Sequence, residues 1–141
     1  MYETTKKGGP LRRPDILFPE LSFKVVGVLI KVYKELGGNF QEKIYQRAIA
    51  SELRKQGVNF QEQVLIDVLY GSEKVGRYYL DFIISQKSDN LILEIKKDKN
   101  FNKSNIVQVH AYLKATNMQL GILANFTQNG VKFKRIVNLS Y

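Results

Sequence analysis

A chain of 141 residues with 44% hydrophobic content is long enough for one domain to bury its own core without a disulfide or a structural metal. It has no cysteine and one histidine, His110, which excludes a cysteine nucleophile and the usual thiolate or imidazole metal cages. A metal site would therefore need oxygen ligands, the set that suits magnesium or manganese. The 22 Lys+Arg against 13 Asp+Glu give a formal net charge of +9, which favours a polyanionic partner, although ordinary solvated lysines give the same balance.

Residues 1–19 place Gly8, Gly9, Pro10, Pro14 and Pro19 among Lys6, Lys7, Arg12 and Arg13, with little hydrophobic periodicity. They read as a flexible basic arm ahead of a single domain over 20–141. No stretch reaches the roughly 20 apolar residues that span a bilayer, and the first residues lack the apolar core of a secretory signal, so a soluble, cytoplasmic protein is expected. Over 20–36, Leu21, Val25, Val28, Leu29, Val32 and Leu36 share a helical face, with Lys24, Lys31, Lys34 and Glu35 opposite. That helix should stop at Gly37-Gly38.

A second helix is expected from about Phe40 to Gln56, closed by Gly57, with Tyr45, Ile49 and Leu53 inward. Glu42 lies on the same stripe, an acid in the first turn. It can favour the helix N-terminus by about 0.3–1 kcal/mol, or serve as a metal or water ligand, and composition leaves both open. Strands follow over Val58–Leu69, Val75–Ser85 and Leu91–Lys97, joined by the turn-rich segments 71–74 and 87–90, which implies an antiparallel meander. A third helix over 103–116 directs Ile106, Val109 and Leu113 inward, and strands Leu120–Asn125 and Val131–Val137 close the chain. The order is α-α-β-β-β-α-β-β, with no internal repeat and no second domain.

The chemistry concentrates where acids interrupt buried strands, because an ionised carboxylate there is costly unless a cation or hydrogen bonds compensate it. Asp81 lies in Leu80-Asp81-Phe82, and Glu94 and Lys96 end the run Leu91-Ile92-Leu93-Glu94-Ile95-Lys96. Glu94 and Lys96 share a strand face about 7 Å apart, and Asp81 reaches Glu94 if the hairpin register sets both on one face. Two carboxylates could then bind one hard cation, with Lys96 positioning a water or stabilising transition-state charge. The plain alternative is a solvated Glu94–Lys96 ion pair worth about 0–1 kcal/mol.

This arrangement resembles the PD-(D/E)XK nuclease superfamily, in particular its GxxExxY family, over residues 20–137. The resemblance implies a restriction-endonuclease-like α/β (α+β) fold with an α-β-β-β-α-β core and a mixed central sheet flanked by helices. It matches Asp81 and Glu94 to the two acids and Lys96 to the lysine. Glu42 and Tyr45, within Asn39-Phe40-Gln41-Glu42-Lys43-Ile44-Tyr45, match the glutamate and tyrosine that name the family. Asn39 stands at the motif's glycine, where asparagine tolerates a left-handed turn, and Leu80 at the nominal proline. Gln108-Val109-His110-Ala111-Tyr112 is similar to the Gln-x-x-x-Tyr motif of RecB-like nucleases, whose Gln108 and Tyr112 share a helix face.

The resemblance implies a Mg2+-dependent (Mn2+ possible) phosphodiesterase acting on DNA. Its metal ligands are Glu42, Asp81 and Glu94, Lys96 assists the attacking water, and Gln108 and Tyr112 contact the lysine, a water or the DNA backbone. Lys97, Lys99 and Lys103, with Arg12 and Arg13, are candidate DNA contacts. Tyr45 reads as a core aromatic with its hydroxyl at the site rim, and His110 faces away. A homodimer is compatible with this, since many nucleases of the fold cut both strands as dimers. A non-cleaving nucleic-acid-binding module or partner subunit that retains the fold is the alternative.

Overall fold

The computed structural model describes residues 17–139, so Lys6, Lys7, Arg12, Arg13 and the expected basic arm up to residue 16 lie outside the described residues, while Leu17 and Phe18 pack on the core and Pro19 already belongs to the first helix. Two amphipathic helices open the described chain, α1 over Pro19–Leu36 and α2 over Glu42–Lys55. The apolar face of α1 buries Leu21, Val25, Val28, Leu29 and Val32, as its spacing requires, and the helix stops where Gly37 adopts φ 72°. Strands β1 (Asn59–Tyr70), β2 (Glu73–Gln86) and β3 (Asp89–Lys96) form the antiparallel meander. Helix α3 (Lys103–Thr116) then crosses over to β4 (Leu120–Thr127), which pairs with β3 in parallel, and β5 (Gly130–Val137) returns antiparallel. The result is a five-stranded mixed sheet in the order β1-β2-β3-β4-β5.

The ends of α3 are set by local chemistry. The Asn102 side chain accepts a hydrogen bond from the Ser104 N–H at 2.8 Å, and Asn117 closes the helix at φ 60°. Helices α1 and α2 cover one sheet face with Tyr45, Ile49, Leu53, Phe82, Leu93 and Phe126 between them. Helix α3 covers the other, packing Val109, Tyr112 and Leu113 on Leu80, Ile92 and Leu123. No helix among the described residues is long and apolar enough to cross a membrane.

The hairpin β1–β2 changes faces along its length. Residues two apart on a strand share a side, yet Phe82 packs with α1 and α2 while Leu80 packs against α3. Its partner strand does the same, with Phe60 on the α1–α2 side and Val64 and Ile66 on the α3 side. The reversal falls at the one rung missing between Glu62↔Phe82 and Val64↔Leu80, which is Gln63 opposite Asp81, and Gln63 has φ 48°.

The β4–β5 turn is pinned to the α1–α2 loop. The Tyr33 hydroxyl donates to the Gln128 carbonyl at 2.9 Å, and Gln128 Nε2 donates to Asn39 Oδ1 at 2.8 Å. The left-handed conformation that asparagine tolerates is taken by Gly37 rather than Asn39, whose side chain accepts from Gln128. Gly38 lies so close to this turn that a Cβ built there overlaps the Thr127 carbonyl oxygen. Gly38→Ala should cost about 1–3 kcal/mol or more, since backbone rather than a flexible side chain must yield. A urea midpoint unchanged from wild type would refute that packing.

Candidate metal and nucleic-acid site

The β2–β3 ladder ends at Phe82↔Leu93, so the next residues, Asp81 and Glu94, stand opposite each other just beyond it. The hairpin register that the sequence left open thus brings the two acids together. Each carboxylate takes over a hydrogen bond from the other strand: the Asp81 N–H donates to Glu94 Oε2 at 2.7 Å, and the Ile95 N–H donates to Asp81 Oδ2 at 2.8 Å. The remaining Asp81 oxygen, Oδ1, accepts from Gln46 Nε2 at 3.2 Å.

Burial and mutual repulsion dominate the electrostatics. Glu94 is only 4% exposed, and loss of solvent, followed by the nearby Asp81 charge, pushes its carboxyl up to about 8. Loss of solvent also raises Asp81, against the Ile95 N–H, the Lys96 charge and the Gln63 amide, which favour its ionised form. Glu42, half-buried at the first turn of α2, is raised by burial and by Asp81 and lowered by Lys96. Among the described residues, Lys96 is thus the cation acting on all three acids. Tyr112 projects from α3 toward the same place. Burial, then Glu94 and Asp81, push its hydroxyl up to about 12, and its ring packs edge-on to Tyr78 at 4.9 Å. Gln108, one turn earlier, is half-buried.

The Tyr45 hydroxyl is engaged by the α1–α2 loop. It donates to the Gly37 carbonyl at 2.5 Å and accepts from the Phe40 N–H at 3.3 Å, while its ring stacks on Phe126 at 4.2 Å. Those contacts tie down the loop that leads into Glu42. His110 is exposed.

The donor set suits a hard cation. Mg2+ keeps several waters and is commonly held by one or two carboxylates plus substrate phosphates, and the Asp81–Glu94 pair meets that need. Among the described residues no three acid or imidazole side chains gather closely enough to hold an ion by themselves. Glu42 therefore stands within electrostatic reach of the pair rather than in a closed cage.

A cleft of about 630 Å³ opens next to Lys97, between the segment after β3 and the β4–β5 turn, and Lys97, Lys99 and Lys132 line it. Lys103, exposed at the start of α3, is outside it. Asn125, buried beneath, pairs in register with Lys96 on one side and Lys132 on the other. Its Oδ1 accepts from the Asp98 N–H at 2.7 Å, and its Nδ2 has no acceptor among the described residues.

Sequence reasoning missed Gln46, Gln63, Asn125 and Lys132. Gln46 was within reach, since it follows Glu42 by one helical turn. Nothing in the pattern of β1 marks Gln63.

A family model described as the PD-(D/E)XK nuclease superfamily matches residues 19–136. No curated protein matches the chain. Among solved structures, SSO0001 is similar at 20% identity and a TM-score of 0.57, over 70% of this chain and 52% of that one. This chain thus spans about half the length of SSO0001, and the likeness is one of fold. Hjc, a Holliday junction resolvase from Archaeoglobus fulgidus, aligns at 12% identity and a TM-score of 0.44, over 68% of this chain and 71% of that one.

Proposed function

Because the chain belongs to the PD-(D/E)XK nuclease superfamily, we propose that it is a divalent-metal-dependent nuclease hydrolysing phosphodiester bonds of DNA at the Asp81–Glu94–Lys96 cluster. The observation that carries this reading is the reciprocal exchange in which each acid accepts the other strand's N–H beyond the last rung of the ladder, with Lys96 beside both. An isolated surface ion pair has no reason to bury two carboxylates together.

Asp81 and Glu94 would hold the ion, Mg2+ or Mn2+, with Glu42 as the third carboxylate of the site. When bound, the cation supplies Lewis acidity to the scissile phosphate and lowers the pKa of a water. The Lys96 ammonium orients the attacking water and stabilises charge on the transition-state phosphate oxygens. Tyr112, with Gln108 one turn away, borders the reacting phosphate from α3. Tyr45 holds the loop that delivers Glu42. The resemblance to the GxxExxY family and to the Gln-x-x-x-Tyr motif belongs to this reading.

The strand runs along the lysine-lined cleft, with Lys97, Lys99 and Lys132 on its phosphates and Lys103 beyond, and Arg12 and Arg13 of the basic N-terminal segment are further candidate phosphate contacts. Lys99→Ala and Lys132→Ala should each flatten the dependence of log affinity on log salt by about 0.9 for every lost phosphate contact. Their turnover at saturating DNA should match wild type. An unchanged salt slope in both would remove the cleft from the DNA path. The described residues carry one such cluster, so cutting both strands of a duplex together calls for a homodimer. A nucleic-acid substrate is also in keeping with a cytoplasmic location.

A second reading, a non-cleaving nucleic-acid-binding module or partner subunit, draws on the lack of a closed three-ligand group among the described residues. The deciding experiment incubates the protein with labelled single-stranded DNA, double-stranded DNA and RNA in Mg2+ or Mn2+. Cleavage of DNA supports the nuclease, product from RNA alone overturns the substrate, and tight binding without product in either metal selects the second reading.

A further inference from the structure

The missing rung at Gln63 and Asp81 is a local distortion with a side chain attached to it. Gln63 holds φ 48°, a region that favours glycine or asparagine, and it is exposed, so burial does not dictate its identity. If only the backbone twist mattered, glycine would serve better. The glutamine instead donates from Nε2 to Gln46 Oε1 at 3.5 Å, and Gln46 in turn donates from its own Nε2 to Asp81 Oδ1 at 3.2 Å. With the Ile95 N–H on Oδ2, the Asp81 carboxylate is held from β3 on one side and from α2 and β1 on the other. Each oxygen keeps a further lone pair for a ligand.

Resting on the metal-dependent reading above, we propose that Gln46 and Gln63 are positioning residues, a two-amide relay that fixes the plane of the Asp81 carboxylate for a divalent cation. Groups that orient a metal ligand in this way typically change metal affinity by about 10–100-fold when removed. Gln46→Ala should therefore weaken Mg2+ binding by that amount. Gln63 bears on Asp81 both through Gln46 and from its own amide, so removing both should weaken binding by less than the two single losses combined. Cleavage should return toward the wild-type kcat at saturating Mg2+, since mass action restores what orientation no longer supplies.

The discriminating variant is Gln63→Gly. It keeps the left-handed backbone at no steric cost, so the metal-free protein should melt at or above the wild-type temperature while its Mg2+ affinity falls. A purely structural role for Gln63 predicts the same melting behaviour with unchanged affinity. The experiment is calorimetric titration of Mg2+ into wild type, Gln46→Ala, Gln63→Gly and the double variant. Weaker binding in Gln46→Ala and in Gln63→Gly, with a loss in the double variant smaller than the two combined, supports the relay. Wild-type affinity in both single variants overturns the relay and leaves the nuclease reading standing. Absence of Mg2+ binding by wild type overturns both.

Discussion

Lys96→Ala should lose about 10²–10³-fold in kcat, the usual cost of removing one group that stabilises transition-state charge, while still binding DNA. The expectation follows from where the ammonium sits. It acts on Glu42, Asp81 and Glu94 together, and it shares a strand face with Glu94 at the open end of β3. The loss should appear in single-turnover cleavage at saturating Mg2+, with fluorescence anisotropy reporting DNA affinity in parallel. A variant that cleaves within about threefold of wild type, well short of that cost, would exclude Lys96 from the chemistry.

Glu94→Gln should make the metal-free protein more stable at pH 8 and abolish its stabilisation by Mg2+. The Glu94 carboxyl, ordinarily near 4.5, is raised to about 8 in the folded chain, first by loss of solvent and then by Asp81. Between those two values the folded state keeps a proton that the unfolded state has released. Stability is therefore fully present below about 4.5 and is lost as pH rises through about 8, by about 1.4 kcal/mol for each pH unit over which one proton separates the states. Asp81, also raised by burial, acts in the same direction. Glutamine keeps the oxygen that accepts the Asp81 N–H yet carries no charge, so the variant's melting temperature in chelator should vary less over this range. Parallel pH profiles for variant and wild type would show that Glu94 does not carry the shift. Ions that bind only the folded state stabilise it by mass action, so added Mg2+ should raise the melting temperature of wild type alone.

Much of this architecture is written in local pattern. The apolar stripe of α1, the stop at Gly37, the turn-rich links between strands and the α-α-β-β-β-α-β-β order all follow from periodicity and turn chemistry. The acids stand out because charge inside a run such as Leu91–Ile95 demands compensation. Boundaries are less well marked. Helix α2 begins at Glu42 rather than Phe40, and β4 runs on to Thr127 because the pinned turn with Gly130 lets the pairing continue past Asn125. The reversal of faces at Gln63 could not be read at all. Alternation in β1 looks like that of any amphipathic strand, and only the tertiary demand that Phe60 and Val64 pack on opposite sides of the sheet makes the break necessary. Asn125 and Lys132 escaped for a similar reason: their nearness to Lys96 depends on the parallel register of β3 with β4, which the crossover through α3 sets.

The most direct measurement is the rate of product formation from end-labelled DNA at pH 8 as Mg2+ is raised from zero, for wild type and for Asp81→Ala purified alongside it. No product is expected in chelator, a rate that saturates with Mg2+ for wild type, and none at any Mg2+ concentration for Asp81→Ala. Cleavage that persists in chelator, or in Asp81→Ala, would contradict the metal-dependent reading.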